Sequence, residues 1–142
     1  MKLKELLDDL IELIKTQVSD FNLLPADKAA YLVREYNNEF SSDGEWTPSF
    51  PTCFVELTNF TPGIFNNKLD LLKGSSAFVL YVGAGFKPGN THVLNIVGRI
   101  CEAVSIGTST IEGIEFKFKL GPINLLGKDK VIKVYTIQVL AI

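Results

Sequence analysis

The chain has 142 residues, a net charge of −2 and 46% hydrophobic residues. A chain of this length buries about two-thirds of the surface that it exposes when unfolded, which is enough for one substantial core. This composition opposes intrinsic disorder, and no apolar run approaches the length of a membrane-spanning helix. We therefore expect a single domain over residues 1–142.

The charges are unevenly distributed along the chain. Up to Glu56 there are 11 acidic and 5 basic side chains, whereas from Leu57 onward there are 5 acidic and 9 basic ones. If the two halves form separate faces, copies of the chain can attract one another head to tail. A scatter of solvated charges explains the same counts, and the sequence leaves both interpretations open.

The segment from Leu3 to Phe21 has the strongest helical pattern. Apolar residues recur every three or four positions, and charged residues fill the opposite face. The polar face is acidic, which opposes binding to an anionic membrane and favours a helix packed on a sheet. A connector around Pro25 follows. We expect a strand over Ala29–Tyr36, because its tyrosines and valine favour extended backbone.

Two central strands are predicted at Thr52–Leu57 and Ala77–Val82. The second is a continuous apolar run, which predicts burial on both of its faces. Between them, Thr58–Lys73 is expected to be long and irregular, with either a hairpin tip or a projecting loop. Before them, Ser41–Phe50 is a polar loop that contains the only tryptophan.

A glycine-rich turn, Gly83–Asn90, leads into a predicted helix from Thr91 to Ser105, which Gly107 ends. Strand, glycine turn and helix together are typical of a dinucleotide-binding fingerprint. Pro88 occupies the third glycine position, however, and proline has no N–H to offer a phosphate. An ordinary glycine turn is therefore the favoured interpretation, with a phosphate cradle as the alternative.

The last third of the chain predicts two more strands. Ile114–Leu120 alternates apolar and charged residues, which indicates a strand with one wet face that ends at Gly121. Val131–Ile142 is apolar on both faces near its end, so it should lie inside the sheet or be covered by another chain. The predicted fold is α+β, with a mixed, mainly antiparallel β-sheet and two main helices packed on it.

No constellation of residues supports catalysis, a metal site or a cofactor. The single histidine, His92, lies on the first turn of a helix, and Cys53 and Cys101 are too isolated for a zinc site. We interpret both cysteines as small buried hydrophobic residues, which favours a reducing, cytoplasmic environment. The Phe and Lys residues of 116–119 point to opposite faces of a strand, so we expect no nucleic-acid recognition. Because no catalytic constellation is present in the sequence, we also expect no enzyme activity.

The order of segments carries a family resemblance. After the N-terminal helix come the stretch Tyr31–Phe40, the proline-led Pro51–Leu57, the apolar Phe78–Val82, a helix, and the closing Val134–Leu140. In this order and patterning the chain resembles the tail-terminator and tail-completion proteins of Mu-like tailed phages and prophages. The glycine-rich turn matches no feature of that family.

The resemblance implies a sheet with helices packed against it and a structural role in virion assembly. Subunits of this family form a ring, usually six-fold, that caps the tail tube and joins it to the head connector. The implied partners are therefore copies of the chain, a tail tube protein and a head–tail connector protein. The implied location is the host bacterial cytoplasm during assembly and then the virion tail, without cofactors or membrane association.

Two segments, Ser41–Phe50 and 61–73, are the expected contact elements. A tryptophan in a polar loop is either a contact anchor or a lid over the edge of the core. Two alternatives to a tail terminator stay open: another head–tail connector component, or a small ligand-binding or enzymatic domain that uses Gly83–Asn90. The candidate assembly contacts are Trp46, Phe50, Phe65, Lys68 and Lys73.

Overall fold

The computed structural model of the chain describes residues 2–40, 51–65, 68–84, 91–126 and 133–142. Within these ranges the chain forms four helices and six strands. In chain order they are α1 (Lys2–Gln17), α2 (Ser19–Asn22), α3 (Ala26–Leu32), β1 (Val33–Glu35), β2 (Thr52–Phe65), β3 (Lys68–Gly83), α4 (Thr91–Ile106), β4 (Thr108–Ile111), β5 (Ile114–Leu126) and β6 (Val134–Ala141).

The six strands belong to one sheet, in the order β1-β2-β3-β6-β5-β4. Strands β1 and β2 run parallel, and the other four neighbouring pairs are antiparallel. The two long helices, α1 and α4, have 16 residues each. The α+β fold with a mixed, mainly antiparallel sheet and two main helices is therefore confirmed.

The main core lies between this sheet and the helices α1 and α4. Each helix has an apolar stripe at a spacing of three to four residues, and burying that stripe removes it from water. Helical spacing in the sequence predicts a stripe of Val93, Val97, Ile100 and Val104 on α4 with Leu94 beside it; the four stripe residues are buried, whereas Leu94 is exposed. The largest buried contributors are Leu10 and Ile14 of α1, Ile96 and Ile100 of α4, and Phe78, Leu80 and Ile137 of the sheet.

The first predicted helix is in fact two helices. Val18 has extended backbone (φ −101°, ψ 122°), which ends α1 before the short α2 begins. The side-chain amide of Asn22 donates to the carbonyl of Thr16, 3.1 Å away, across this break. The bend keeps Phe21 in the core, where it is fully buried.

The strand predicted over Ala29–Tyr36 is mostly wrong. Residues 26–32 form α3, and the extended part is limited to β1. The N–H of Ala29 donates to the carbonyl of Pro25, 2.9 Å away, and this bond closes the first helical turn. Alanine-rich sequence after a proline favours such a turn, and this local preference outweighed the strand preference of Tyr31.

Burial on β3 and β6 depends on the face. On β3, Phe78, Leu80 and Val82 are fully buried, whereas Val79 and Tyr81 of the opposite face are only half-buried. The prediction of burial on both faces is therefore wrong in part. The prediction that the last strand lies inside the sheet is confirmed, because β6 pairs with β3 on one side and β5 on the other.

Two segments expected to interrupt strands are instead parts of strands. Residues 58–65 and 68–73, expected to be irregular, extend β2 and β3 into one long hairpin, so the hairpin alternative is confirmed. Gly121 and Pro122 do not end β5; they cause a shift in its pairing with β6 between Leu120 and Ile123. Proline fits there because a bulge leaves its missing N–H without a required partner.

One bidentate ion pair ties α2 to α4. Arg99 Nε and Nη2 donate to the two carboxylate oxygens of Asp20 at 2.6 and 2.8 Å. The Asp20 side chain is 12% exposed, and that of Arg99 is 41% exposed. Its hydrogen bonds raise the pKa of Arg99. Solvent screens the charge of Arg99, but the two-point geometry holds the short α2 in place.

We expect Asp20→Asn to lower the free energy of unfolding by about 1 kcal/mol, because one charged hydrogen bond is lost beside a mostly buried group. Asp8→Asn is the matched control. Its carboxylate pairs with Lys4 on the exposed face of α1, so we expect a loss under about 0.5 kcal/mol. Urea denaturation measures both values. Equal losses would contradict a stabilising role for the Asp20–Arg99 pair.

Candidate assembly surfaces

The predicted contact residues fall into two groups. Trp46 and Phe50 lie outside the described residues, so their assignment stays a prediction. Phe65 and Lys68 are the last residue of β2 and the first of β3, and they pair with each other at the end of the hairpin. Lys73 lies farther back along β3. Three of the five candidates therefore belong to one hairpin.

This hairpin extends beyond its neighbours in the sheet. On the β2 side, the register with β1 covers residues 53–55. On the β3 side, the register with β6 begins at Ser76. The stretch from Thr61 to Phe65, about 16 Å of strand, and the residues opposite it pair with each other and with no other described strand. We call residues 61–75 the ribbon.

The ribbon is also irregular. Thr61 pairs with Ser75, but the next pair is Gly63 with Asp70, so residues 71–74 of β3 lie opposite Pro62 alone. Proline cannot donate to the ladder, and an excess of residues on one strand bends a ribbon. A two-stranded ribbon by itself is only marginally stable in water, because its outer backbone groups have no ladder partners. The ribbon is therefore a place where another chain can add.

An aromatic cluster covers one end of the other sheet face. The rings of Tyr36 and Tyr81 stack with centroids 3.9 Å apart, and Phe40 packs beside them on Phe54. The Arg34 guanidinium carbon lies 4.5 Å from the centre of the Phe54 ring, which is a cation–π geometry. The cluster anchors the chain up to Phe40, immediately before the segment that contains Trp46.

Hydrogen bonds fix this cluster further. The N–H of Phe40 donates to the Tyr36 hydroxyl at 3.2 Å, and the Tyr81 hydroxyl donates to Glu56 at 3.1 Å. Burial, followed by the charge and hydrogen bond of Glu56, raises the pKa of Tyr81 to about 12. Burial is also the main cause that raises the pKa of Tyr36. Sequence reasoning missed the cluster because its members come from separate elements.

His92 is half-buried on the first turn of α4, and no group of three or more His, Cys, Asp or Glu residues in the described ranges is placed to hold a metal ion. Cys53 is buried and Cys101 half-buried, and neither forms a disulfide. Burial raises the pKa of both thiols, which disfavours the reactive thiolate.

The glycine-rich turn is described only at its start. Gly83 ends β3 and pairs with Thr52 and Val134, and Ala84 is buried. Residues 85–90 lie outside the described ranges, so a ligand role for the turn stays a prediction. No helix among the described residues is both long and apolar enough to cross a membrane.

No protein-family model matches the sequence, and no curated protein matches it. The resemblance to phage tail terminators therefore has no support beyond the order and patterning of its segments.

The Tyr81 environment makes a testable prediction at high pH. Because the folded chain holds the pKa of Tyr81 near 12 and an unfolded tyrosine has a pKa near 10, the neutral phenol is favoured in the folded state. We expect this stabilisation to be complete below about pH 10 and to be lost as pH rises toward 12. The difference in tyrosinate absorbance between the native chain and Tyr81→Phe isolates this group.

Glu56→Gln should lower the pKa of Tyr81, because the variant removes the negative charge that opposes tyrosinate formation. Glu35→Gln, at an exposed position on the neighbouring β1, is the matched control and should leave it unchanged. Titration of Tyr81 near pH 10 in the native chain would contradict the buried, Glu56-paired hydroxyl.

Proposed function

We propose that this chain is a structural assembly protein that associates with copies of itself, and more specifically that it is a phage or prophage tail terminator. In that role its subunits form a ring that caps the tail tube and joins it to the head connector. The single observation that carries the proposal is the ribbon, a two-stranded extension whose outer edges have no described strand partner.

Strand addition is the physical mechanism. An extended segment of a neighbouring chain can satisfy the outer N–H and C=O groups of the ribbon, and main-chain hydrogen bonds of this kind supply affinity without a deep pocket. The candidate contacts Phe65, Lys68 and Lys73 all belong to β2 and β3 on the ribbon. Trp46 and Phe50 are proposed as further contacts from the segment that follows the aromatic cluster.

The fold is compatible with the resemblance that supplies the finer assignment. The tail-terminator resemblance implies a sheet with helices packed against it, and the chain has such a sheet. Architecture alone does not fix function, since unrelated activities share folds. The tail-terminator role is accordingly tested separately from self-association.

Self-association is tested by light scattering after size exclusion over a range of concentrations, with electron microscopy of any large species. We expect a closed ring of several subunits. A variant in which Asn-Gly replaces residues 62–74 joins the paired residues Thr61 and Ser75 by a two-residue turn and removes the ribbon. It should keep the helical circular dichroism and lose the ring. A native chain that stays monomeric up to millimolar concentration would contradict the proposal.

The candidate anchors have their own test. Trp46→Ala combined with Phe65→Ala should raise the concentration needed for half-assembly by about tenfold or more, because truncated aromatic anchors usually cost over 1 kcal/mol each. Leu94→Ala, which truncates an exposed apolar residue on α4, is the control and should have no effect. Unchanged assembly of the double variant would show that the anchor assignment is wrong.

The tail-terminator role is tested with tail tubes. Tubes assembled in the presence of the chain should show a density at one end and stop growing there, whereas tubes assembled without it should vary in length. If the chain forms rings that never bind tube ends, self-association stands and the finer assignment is wrong.

A further inference from the structure

A groove lies at the edge of the sheet that is remote from α3. It has a volume of about 640 Å³ and opens between the end of α4 and strand β5. From Phe118 onward, β5 pairs with β6 and has no described strand on its other side, so the groove is at the edge of the sheet. Its lining consists of Ser105, Lys117, Phe118, Lys119, Leu120 and Ile142.

The groove combines an apolar lining with positive charge. Phe118 is buried, Leu120 is half-buried, and Ile142 is 55% exposed. Lys117 and Lys119 alternate with them on β5 and are both exposed, and neither makes an ion pair with another described residue. No acidic residue is part of the lining. The lysine side chains leave β5 on the face opposite Phe118 and Leu120. Because β5 has no described strand along this edge from Phe118 onward, an occupant lying along it should offer an apolar side chain to one face and a carboxylate to the other.

The chain presents such a pair in the turn between α2 and α3. Leu23 is 83% exposed, so most of its apolar side chain is available to a partner. Asp27, four residues later, is an exposed acid in the first turn of α3. We call residues 23–27 the α2–α3 corner. It belongs to the acidic first half of the chain, and the groove belongs to the basic second half.

The corner and the groove cannot meet within one chain. Helix α3 packs against β1 and β2, whereas the groove is on β5. Strands β1 and β5 are four positions apart in the sheet order, which is about 19 Å at the usual strand spacing. Two complementary surfaces on opposite edges of one molecule are the requirement for a head-to-tail contact between copies.

We propose that the groove receives the α2–α3 corner of a second copy of this chain, with Leu23 on the apolar lining and Asp27 between Lys117 and Lys119. This contact rests on the proposed self-association and names a second interface for it besides the ribbon. Because the contact is heterologous, each added copy leaves one free groove and one free corner. Copies added in this way form a ring when the rotation between neighbouring copies closes.

Charge reversal on both sides tests the contact. Asp27→Lys alone turns the corner positive and sets it against the two lysines of the groove, and Lys119→Glu alone places an acid against Asp27. Like charges at an interface oppose association, so each variant should need about tenfold more protein for half-assembly. Mixed in equal amounts, the two variants should assemble again, because each reversed surface then finds a surface of opposite charge. The double variant in one chain should assemble for the same reason.

A control that adds positive charge, rather than removing it, comes from the same strand. Glu115 is exposed on the side of β5 that carries Lys117 and Lys119. Glu115→Lys should leave assembly equal or make it stronger, whereas a general sensitivity to surface charge would weaken it. Lys119→Glu and Glu115→Lys are at exposed strand positions, so we expect unchanged thermal unfolding. Asp27→Lys should lower the unfolding temperature slightly, because it replaces an acid in the first turn of α3 with a base.

The possible outcomes separate the two proposals. If the native chain assembles and each single reversal assembles as the native chain does, the groove contact is wrong and self-association stands. If both single variants fail and the mixture does not restore assembly, charge pairing between corner and groove is also wrong. If the native chain is monomeric throughout, both the contact and the proposed function are overturned.

Discussion

Strand β3 is held by two neighbours along one half of its length and by one neighbour along the other. From Ser76 to Gly83 it lies between β2 and β6, and its core-facing side chains are buried under α1 and α4. From Lys68 to Ser75 it pairs with β2 alone. Hydrogen bonding and burial act together in the first half, so that half holds the fold. The second half pairs with β2 alone and has no described strand on its other side.

This asymmetry separates stability from assembly. Among the side chains that the structure describes, the members of the main apolar cluster on β2 and β3 are Cys53, Val55, Phe78, Leu80 and Val82, which all lie outside the ribbon. We therefore expect the folded body to persist when the ribbon is removed or covered. The groove on β5 and the corner before α3 are likewise outside the core. We expect a subunit built this way to fold alone and still present to its neighbours complementary charges and strand edges that have no described partner.

The sequence predicted those parts of the fold that depend on periodicity within one element. The stripes of α1 and α4 and the alternation of Ile114–Leu120 follow directly from residue spacing. The predictions were wrong where the burial of a residue depends on neighbouring elements of the fold. The run Ala77–Val82 is apolar throughout, yet its second face is half-buried because the helices cover only one side of the sheet.

Local turn chemistry caused the other errors. Pro62, Gly63 and Gly121 look like loop residues, but here they produce shifts in register within long strands. The candidate surfaces were predictable in outline from the uneven charge and the length of residues 58–73. The stack of Tyr36 on Tyr81 could not be predicted, because the two residues are far apart in the chain and meet only where Tyr36 bonds to Val55 of β2 and β2 pairs with β3.

The central claim is that the ribbon is completed by another copy of the chain. Hydrogen exchange of the ribbon amides, measured at low and at high protein concentration, tests it most directly. We predict fast exchange for Gly63–Phe65 in dilute protein and strong protection in concentrated protein, while the amides of Phe78–Val82 stay protected in both. Ribbon amides that exchange equally fast at all concentrations would contradict the account.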